Sequence, residues 1–411
     1  MLMTLEKETK SSVAATVSAK VVSTTDELAR MKEQWCELFA ISPTASPPLR
    51  FEWVWRWWAV YGQAYGKKGR GLRVIAFWRG EKLIGVLPLF ESSSSPPLVG
   101  MRRLQFISTG AAEFEETCAE YLNLLHAPQE DSACMDMLAN LLQSDAIAWD
   151  ELHLLDMPET SPLLSLTERI GKGRQVKMES AGISYLSDLA GGMENFIAAL
   201  SMTTRRKGRK MLKQLSGGHG KLEVAQTAEQ AGEFFDQMVQ VHRKRWQGAG
   251  RTGSFAPRHA EFHRGIAVEL APRGEVMVAR LMHNGEVLAL TYGHRVGPRY
   301  DGYQVGVNMQ SKVFTSPGSA MHLALMEYLA ERGVTSYDHL KGFNRFKQDY
   351  AKTLVNLVDL TITKPNLRVR AHRMSDLCAR VARKLLRNKK AAVVAPQSAE
   401  SKEESGNGEA D

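Results

Sequence analysis

The chain predicts an α/β fold, with α+β mixed sheets and flanking helices, and three observations carry that prediction. Short β-branched and aromatic runs alternate with stretches whose apolar residues recur every three or four positions. Two pairs of runs read as hairpins, with Gly80-Glu81-Lys82-Leu83 and Gly285-Glu286-Val287-Leu288 at their turns, 205 residues apart in a chain of 411, so internal duplication is a live reading. That length exceeds what one hydrophobic core usually organises, which makes two domains the default expectation. The expected division is a loose leader over 1–22, an N-terminal domain over 23–190, a C-terminal domain over 191–365, a basic amphipathic helix over 366–392 and a disordered acidic tail over 393–411.

Each element has a local reason. Asp26 to Ile41 places Leu28, Met31, Trp35 and Leu38 at helical spacing, and Thr24, Thr25 or Asp26 can cap its first turn. Ser42 to Pro48 breaks it. In the next helix Trp53, Trp57 and Tyr61 recur every four residues, as one buried face requires; core is the plain reading of that face and ligand stacking the alternative. Leu72 to Trp78 and Leu83 to Phe90 read as strands, followed by a Ser/Pro loop over Ser92 to Pro97 and strand-like pieces at Leu104 to Ile107 and Tyr121 to Leu125. A helix at Met135 to Leu142, a strand at Glu151 to Leu155, a helix near Leu163 to Ile170 and a strand at Gln175 to Leu186 complete the first unit. Helices at Glu194 to Leu200 and Thr203 to Leu215, a glycine-rich break, a strand at Leu222 to Ala225 and a long helix from Ala228 to Trp246 lead to the second. There Val276 to Met282 and Val287 to Val296 are joined through Asn284-Gly285, a strong hairpin signal.

Composition narrows the function classes. Apolar residues make up 44% and charged residues 24%, as in soluble domains, and no apolar run is long enough to span a bilayer. The start, MLMTLEKETKSS, lacks the basic-then-apolar order of a secretory signal, so a cytoplasmic address is expected. Cys36, Cys118, Cys134 and Cys378 form no CxxC pair and no His-Cys cluster, which argues against a zinc site and a disulfide framework. The net charge of +8 is concentrated in two places: six basic residues in Arg205 to Lys213 and nine between Arg368 and Lys390. Either cluster is a solvated helix face or a patch for an acidic partner.

The densest chemistry lies between Arg299 and Lys352. An aromatic strand with Tyr300 and Tyr303 runs into Ser316-Pro317-Gly318, then into a helix over Ser319 to Arg332 whose Met321, Leu325 and Leu329 face the core. The helix N-terminus is left for function: proline stiffens the entry, glycine admits a ligand to the backbone, and the free N–H groups suit an anion. Tyr337-Asp338, Gly342, Phe346, Lys347 and Tyr350 follow. An ordinary capped helix start is the bland alternative.

The chain resembles bacterial GNAT-type acyltransferases of the BioF2-like group, which include the CelD proteins of cellulose biosynthesis and are related to the FemAB aminoacyl transferases. The residues that carry the resemblance are Phe51-Glu52-Trp53 with Trp57-Trp58, Gly85-Val86-Leu87-Pro88-Leu89, the basic helix at Arg205 to Lys213, His242-Arg243 with Arg245-Trp246, Tyr303, Ser316-Pro317-Gly318, and Tyr337-Asp338 through Gly342 to Lys347. Glu120-Tyr121-Leu122 stands where the family often shows Asp-Tyr-Leu, and Phe346 occupies a usual tyrosine position. The resemblance implies tandem GNAT-like domains, an acyl-CoA co-substrate (acetyl-CoA foremost) bound at Ser316, Pro317, Gly318 and Ser319, no metal, and an amine or hydroxyl acceptor. Within that frame Tyr303 protonates the departing thiolate, Asp338 orients or deprotonates the nucleophile, Lys347 stabilises oxyanion or phosphate charge, and His242 is a second base. Two alternatives stand beside it: a FemAB-like transferase using charged tRNA, and a non-catalytic scaffold at an envelope-polysaccharide machine whose 366–392 helix makes peripheral membrane contact.

Overall fold

The computed structural model describes residues 16–92, 100–248 and 255–393. The tail expected over 393–411 lies almost wholly outside them, as do Ser93 to Pro97 of the Ser/Pro loop. The first half opens with β1 (Val17–Val22), α1 (Thr25–Arg30), α2 (Lys32–Ile41) and α3 (Phe51–Tyr65), then β2 (Val74–Arg79), β3 (Lys82–Leu87), β4 (Leu89–Glu91), β5 (Arg103–Phe106) and β6 (Leu125–His126). It continues through α4 (Asp131–Gln143), β7 (Glu151–Pro158), α5 (Leu166–Arg169) and the long β8 (Gln175–Asp188). The second half runs α6 (Gly192–Ala199), α7 (Met202–Gln214), β9 (Lys221–Val224), α8 (Ala228–Gly248) and α9 (Pro257–Leu270). Then come β10 (Val276–His283), β11 (Glu286–Val296), β12 (Arg299–Val307), α10 (Pro317–Ala330), β13 (Ser336–Lys341), α11 (Arg345–Tyr350), β14 (Thr353–Thr363) and α12 (Leu367–Val393).

Two sheets hold these together: a four-stranded one in the order β1-β2-β3-β6, and a ten-stranded one in the order β4-β5-β7-β14-β8-β13-β12-β11-β10-β9. The expected boundary at 190 falls just after β8, and β8 pairs with both β14 and β13, so one continuous ladder crosses it. The leader is corrected at its end: Val17 to Val22 pair with Val74 to Arg79, because alternating exposure lets β1 lie along β2. The strand expected at Tyr121 to Leu125 is also corrected. Only Leu125–His126 pairs, and Tyr121, with a positive φ of 61°, departs from the extended backbone that would carry the ladder back to it.

The aromatic face of α3 is core. Trp53, Trp57 and Tyr61 are buried, and Phe262 of α9 meets Trp53 edge-on at 4.9 Å, which ties the two halves into one apolar cluster. A second cluster lies under α10, where Leu323, Met326 and Leu329 pack on Tyr300 of β12 and Tyr337 of β13. Both strands that frame the site therefore rest on buried aromatics.

α12 is amphipathic as its spacing predicts, but its apolar stripe faces outward: Leu367, Met374, Leu377 and Val381 are 80%, 68%, 62% and 50% exposed. No helix among the described residues is long and apolar enough to cross a membrane.

Candidate functional site

β12 and β13 run parallel but pair over three residues only, Arg299 with Ser336, Tyr300 with Tyr337 and Asp301 with Asp338. Beyond that point they separate, and two local features drive them apart. On β12, Tyr292 of β11 pairs with Gln304 and Gly293 with Gly302, so Tyr303 is the extra residue of a β-bulge. On β13, Leu340 adopts a φ of 60°, and the Asp338 carboxylate holds it there by accepting the Leu340 N–H at 2.7 Å. Register against β8 slips at the same place, between Asp338 and Lys341.

The gap is a cleft of about 430 Å³ lined by β12 from Gly302 to Val307, by the start of α10, and by His322, His339, Asn344, Phe346 and Lys347. Asn308 donates its N–H to Leu288, so by the alternation of an antiparallel pair the main chains of Val305 and Val307 turn away from β11 toward the cleft. At its foot, Ser316 caps α10 without a side-chain bond to the backbone; its hydroxyl meets that of Ser319 at 2.8 Å instead. Pro317 has no N–H and Ala320 donates to the Ser316 carbonyl, so among the described residues the amides of Gly318 and Ser319 are the unpaired donors of the first turn. They face a space that suits an anion. A Cβ on Gly318 would stand 3.2 Å from Val307 Cγ2, which is why glycine keeps this end open.

Lys347 closes the other side. Its N–H is capped by Asn344 Oδ1 at 2.8 Å, and its ammonium donates to the carbonyls of Leu340 at 3.0 Å and Lys341 at 2.7 Å, leaving one of three donors for a ligand. Burial lowers its pKa, opposed by the carboxylates of Glu120 and Asp338. His322 and His339, which the sequence did not single out, sit between Lys347 and the strands. His322 Nδ1 is 2.9 Å from the Tyr337 hydroxyl, His339 Nε2 is 2.9 Å from Ser187 Oγ, and the Phe346 ring stacks on His322 at 4.5 Å. Burial, with Lys347 adding to it, pushes His322 down to about 4, so it is neutral near pH 7.

The predicted residues divide. Ser316, Gly318, Ser319, Tyr303 and Lys347 come together around the cleft, while Pro317 is buried beneath it. The Tyr303 hydroxyl donates to the Thr117 carbonyl at 2.8 Å and lies 3.0 Å from His259 Nε2, on the face away from α10. Asp338 requires a correction. It is fully buried, and its carboxylate accepts from Tyr121 Oη at 2.5 Å, Ser184 Oγ at 2.6 Å and Leu340 N at 2.7 Å, so three of its acceptor sites are committed to shaping β13 and it does not line the cleft. His242 lies on α8 with its ring edge-on to Phe255 at 5.0 Å, and it does not line the cleft; His259 of α9 stands next to Tyr303 in its place. Among the described residues no group of three or more His, Cys, Asp or Glu is placed to hold a metal ion.

A larger cavity, about 540 Å³, lies between α2 and the β11–β12 turn. Its charges are spent on each other, Arg50 with Glu275 at 3.0 Å and Arg273 with Glu52 at 2.9 Å, and no strand gap opens into it. The cleft between β12 and β13 is the better-built site.

Residues 202–348 match the family described as acetyltransferase (GNAT) domain. The GNAT match thus covers α7 through most of α11, the whole of the cleft. Among solved structures the chain is similar to FemX, with 11% identity, a TM-score of 0.60, and coverage of 86% of this chain and 99% of FemX. That likeness shows a shared fold over nearly the whole length. Looser similarity extends to a tandem GNAT protein from the clavulanic acid biosynthesis pathway (14% identity, TM-score 0.41, 85% of this chain and 99% of that one) and to L-PGS from Bacillus licheniformis (12%, 0.42, 72% and 86%). No curated protein matches the chain.

Proposed function

We propose that the chain is an acyltransferase that takes its acyl group from acyl-CoA, acetyl-CoA foremost, and passes it to an amine or hydroxyl acceptor, in cell-envelope or polysaccharide biosynthesis. One observation carries the reading: β12 and β13 stop pairing at Asp301 and Asp338 and open onto the unpaired amides of Gly318 and Ser319. An extended pantetheine arm fits between two parted strands, with phosphate at the helix N-terminus. Lys347 offers its remaining N–H to phosphate or to a developing oxyanion. Titration calorimetry with acetyl-CoA, CoA and dephospho-CoA tests this directly; micromolar binding that is lost in Gly318→Val supports it, and no binding of any of the three defeats it.

A charged tRNA as carrier is the second reading, favoured by where α7 sits. Met211 and Leu212 pack against Ala320 and Met321 in the first turns of α10, while Arg206, Lys207, Arg209 and Lys210 are exposed beside them. Binding through those residues would weaken steeply with salt. A salt-insensitive interaction excludes it.

The reading also includes work at a membrane surface. The outward apolar stripe of α12 and the nine basic residues of its span suit anionic lipid. Vesicles containing phosphatidylglycerol should float the chain, and Met374→Glu with Leu377→Glu should abolish flotation. Equal flotation with phosphatidylcholine vesicles, or by the variant, removes this part.

A further inference from the structure

Two stretches of chain frame the foot of the cleft, and neither contains a carboxylate. None lies between Glu194 and Glu223, a span that includes α7, and none between Asp301 and Glu327, a span that runs from β12 into α10. Within them Arg206, Lys207, Arg209, Lys210 and Lys213 on α7, and Lys312 on the loop before α10, are exposed. Nearby cations on β9 and β10 are tied to an acid, Lys221 and Arg280 both to Glu223. Among the described residues these six form no ion pair. Arg206 and Lys210, like Arg209 and Lys213, are like charges one turn apart, and no acidic residue stands in the first turn of α7 to offset its dipole. The helix is poorly arranged for its own stability and well arranged to receive negative charge.

Its other face ties it to the cleft. Met211 and Leu212 pack in one cluster with Val313, Phe314, Ala320 and Met321, which sets Lys312 beside α7. A Cβ on Gly208 would stand 3.0 Å from Ile197 Cδ1 and 3.9 Å from the Tyr350 ring, so the helix lies closely on α6 and α11. Tyr350 stacks on Phe346 at 4.3 Å, and Phe346 is a wall of the cleft. The basic face is therefore held beside the start of α10, where the amides of Gly318 and Ser319 are free.

The form of the face favours a protein over a nucleic acid. Met202, Arg206, Arg209 and Lys213 stand at i, i+4, i+7 and i+11, in line along one side of the helix, and Met202 is 83% exposed. A methionine in line with the cations suits the apolar side chains of a protein partner, whereas a phosphate backbone has no use for a thioether. α7 carries no aromatic side chain on which a base could stack. Arg206 to Lys213 covers about 10 Å of helix axis at 1.5 Å per residue, the footprint of one acidic helix.

We propose that the exposed face of α7, with Lys312, docks an acidic carrier protein whose phosphopantetheine arm enters the cleft between β12 and β13. The inference rests on the reading of that cleft as the seat of a phosphopantetheine thioester, and it adds to CoA a protein-borne source of the arm. An arm carried on a protein ends at a single phosphate, for which Gly318 and Ser319 supply the amides. The surface beyond that phosphate is the carrier's own, and α7 is what it meets. The unpaired cations set the rate and orientation of the encounter, and Met202 adds an apolar contact at one end.

The test uses the full chain with an acidic acyl carrier protein in its holo and apo forms, acetyl-CoA, CoA and an uncharged tRNA. Fluorescence anisotropy of labelled holo carrier should show binding that CoA competes away and that weakens at least about tenfold between roughly 50 and 300 mM salt. The apo form should bind about tenfold more weakly, and Gly318→Val should bring holo binding down to that level. Arg206→Glu with Lys210→Glu should weaken holo binding at least about tenfold, and Met202→Ser about threefold. These three positions are exposed, and unchanged thermal midpoints show the variants folded. Holo and apo forms bound alike, or binding that ignores the charge reversal, overturns the proposal. So does a tRNA that binds more tightly than the holo carrier and is lost in the charge reversal, which gives the face to RNA. If acetyl-CoA binds and the holo carrier does not, this inference falls and the acyl-CoA reading stands. If the holo carrier binds and acetyl-CoA does not, the inference stands and CoA is removed as donor; if neither binds, both fall.

Discussion

Asp338 distinguishes a base from a strut, because the two roles predict opposite outcomes for one substitution. Its carboxylate satisfies three buried donors, two hydroxyls and the Leu340 N–H, and is itself fully buried. In Asp338→Asn the amide oxygen still serves two of the three, while Tyr121 must turn its hydroxyl to accept and leaves its own proton unpaired. One unsatisfied buried donor costs about 1–3 kcal/mol. Asp338→Ala strands all three, and with the two hydroxyls free to rotate the loss should be about 3–6 kcal/mol. Each kcal/mol moves the midpoint of a domain of this order by roughly 2–4 °C. Scanning calorimetry should therefore show a drop of about 2–12 °C for asparagine and a larger one for alanine. Because the Leu340 bond sets the angle at which β13 leaves β12, acetyl-CoA binding should weaken in step, at least about tenfold for alanine, equivalent to about 1.4 kcal/mol. A general base would behave otherwise. If Asp338→Asn keeps its melting temperature and its acetyl-CoA affinity yet abolishes turnover, the strut argument is wrong and Asp338 works on the nucleophile.

Three further outcomes follow from the same geometry. Gly318→Val puts a branched side chain where even a Cβ stands 3.2 Å from Val307, so acetyl-CoA affinity should fall at least about tenfold with the melting temperature nearly unchanged; unchanged affinity by calorimetry would place the carrier elsewhere. Arg299→Ala leaves the buried carboxylate of Asp301, now held by Arg299 at 2.7 Å, without its partner, and urea unfolding should report a loss of about 3–5 kcal/mol, whereas a loss below about 1 kcal/mol would show the pair to be dispensable. Stability should peak between about pH 5 and 6.5. Burial depresses His259 to about 4 and His294 to about 3, so their contribution is complete above an unfolded value of about 6.5 and is lost as pH falls below it. Burial raises Glu120 to about 8 and Asp301 to about 6, so theirs is complete below the unfolded carboxyl range and is lost as pH rises toward those values. Glu120→Gln should raise the melting temperature at pH 8 and leave it unchanged at pH 4.5, and an equal shift at both would contradict the assignment.

How far the sequence revealed this molecule depends on whether a feature is written in periodicity or in long-range contact. The hairpin at Asn284-Gly285, the four-residue recurrence of Trp53, Trp57 and Tyr61, and the start of α10 at Ser316-Pro317-Gly318 are local, and the structure places each where its spacing puts it. α9 was equally local, with Phe262, Ile266 and Leu270 every four residues, but its many polar residues hid the stripe. β14 was hidden differently: a bulge between Leu357 and Val358 breaks its alternation, and only pairing with β7 and β8, from the other half of the chain, gives it a place. Glu120 was noted for the family pattern around it, and nothing in its neighbours along the chain says that Asp156, Lys341 and Lys347 surround it.

The cleft itself was predicted from the residues at its foot, yet its cause lies in two departures from local preference. A tyrosine is bulged out of β12, and a leucine, which has no ease in the left-handed region, is held there on β13. A zipped β12–β13 ladder would have met the backbone's demands with less strain. The structure instead commits the Asp338 carboxylate, two hydroxyls and an ammonium to holding the strands apart at Leu340 and Lys341. Strain held by that many dedicated contacts is the kind that gathers at ligand sites, and it is the argument for seating the proposed carrier in this gap.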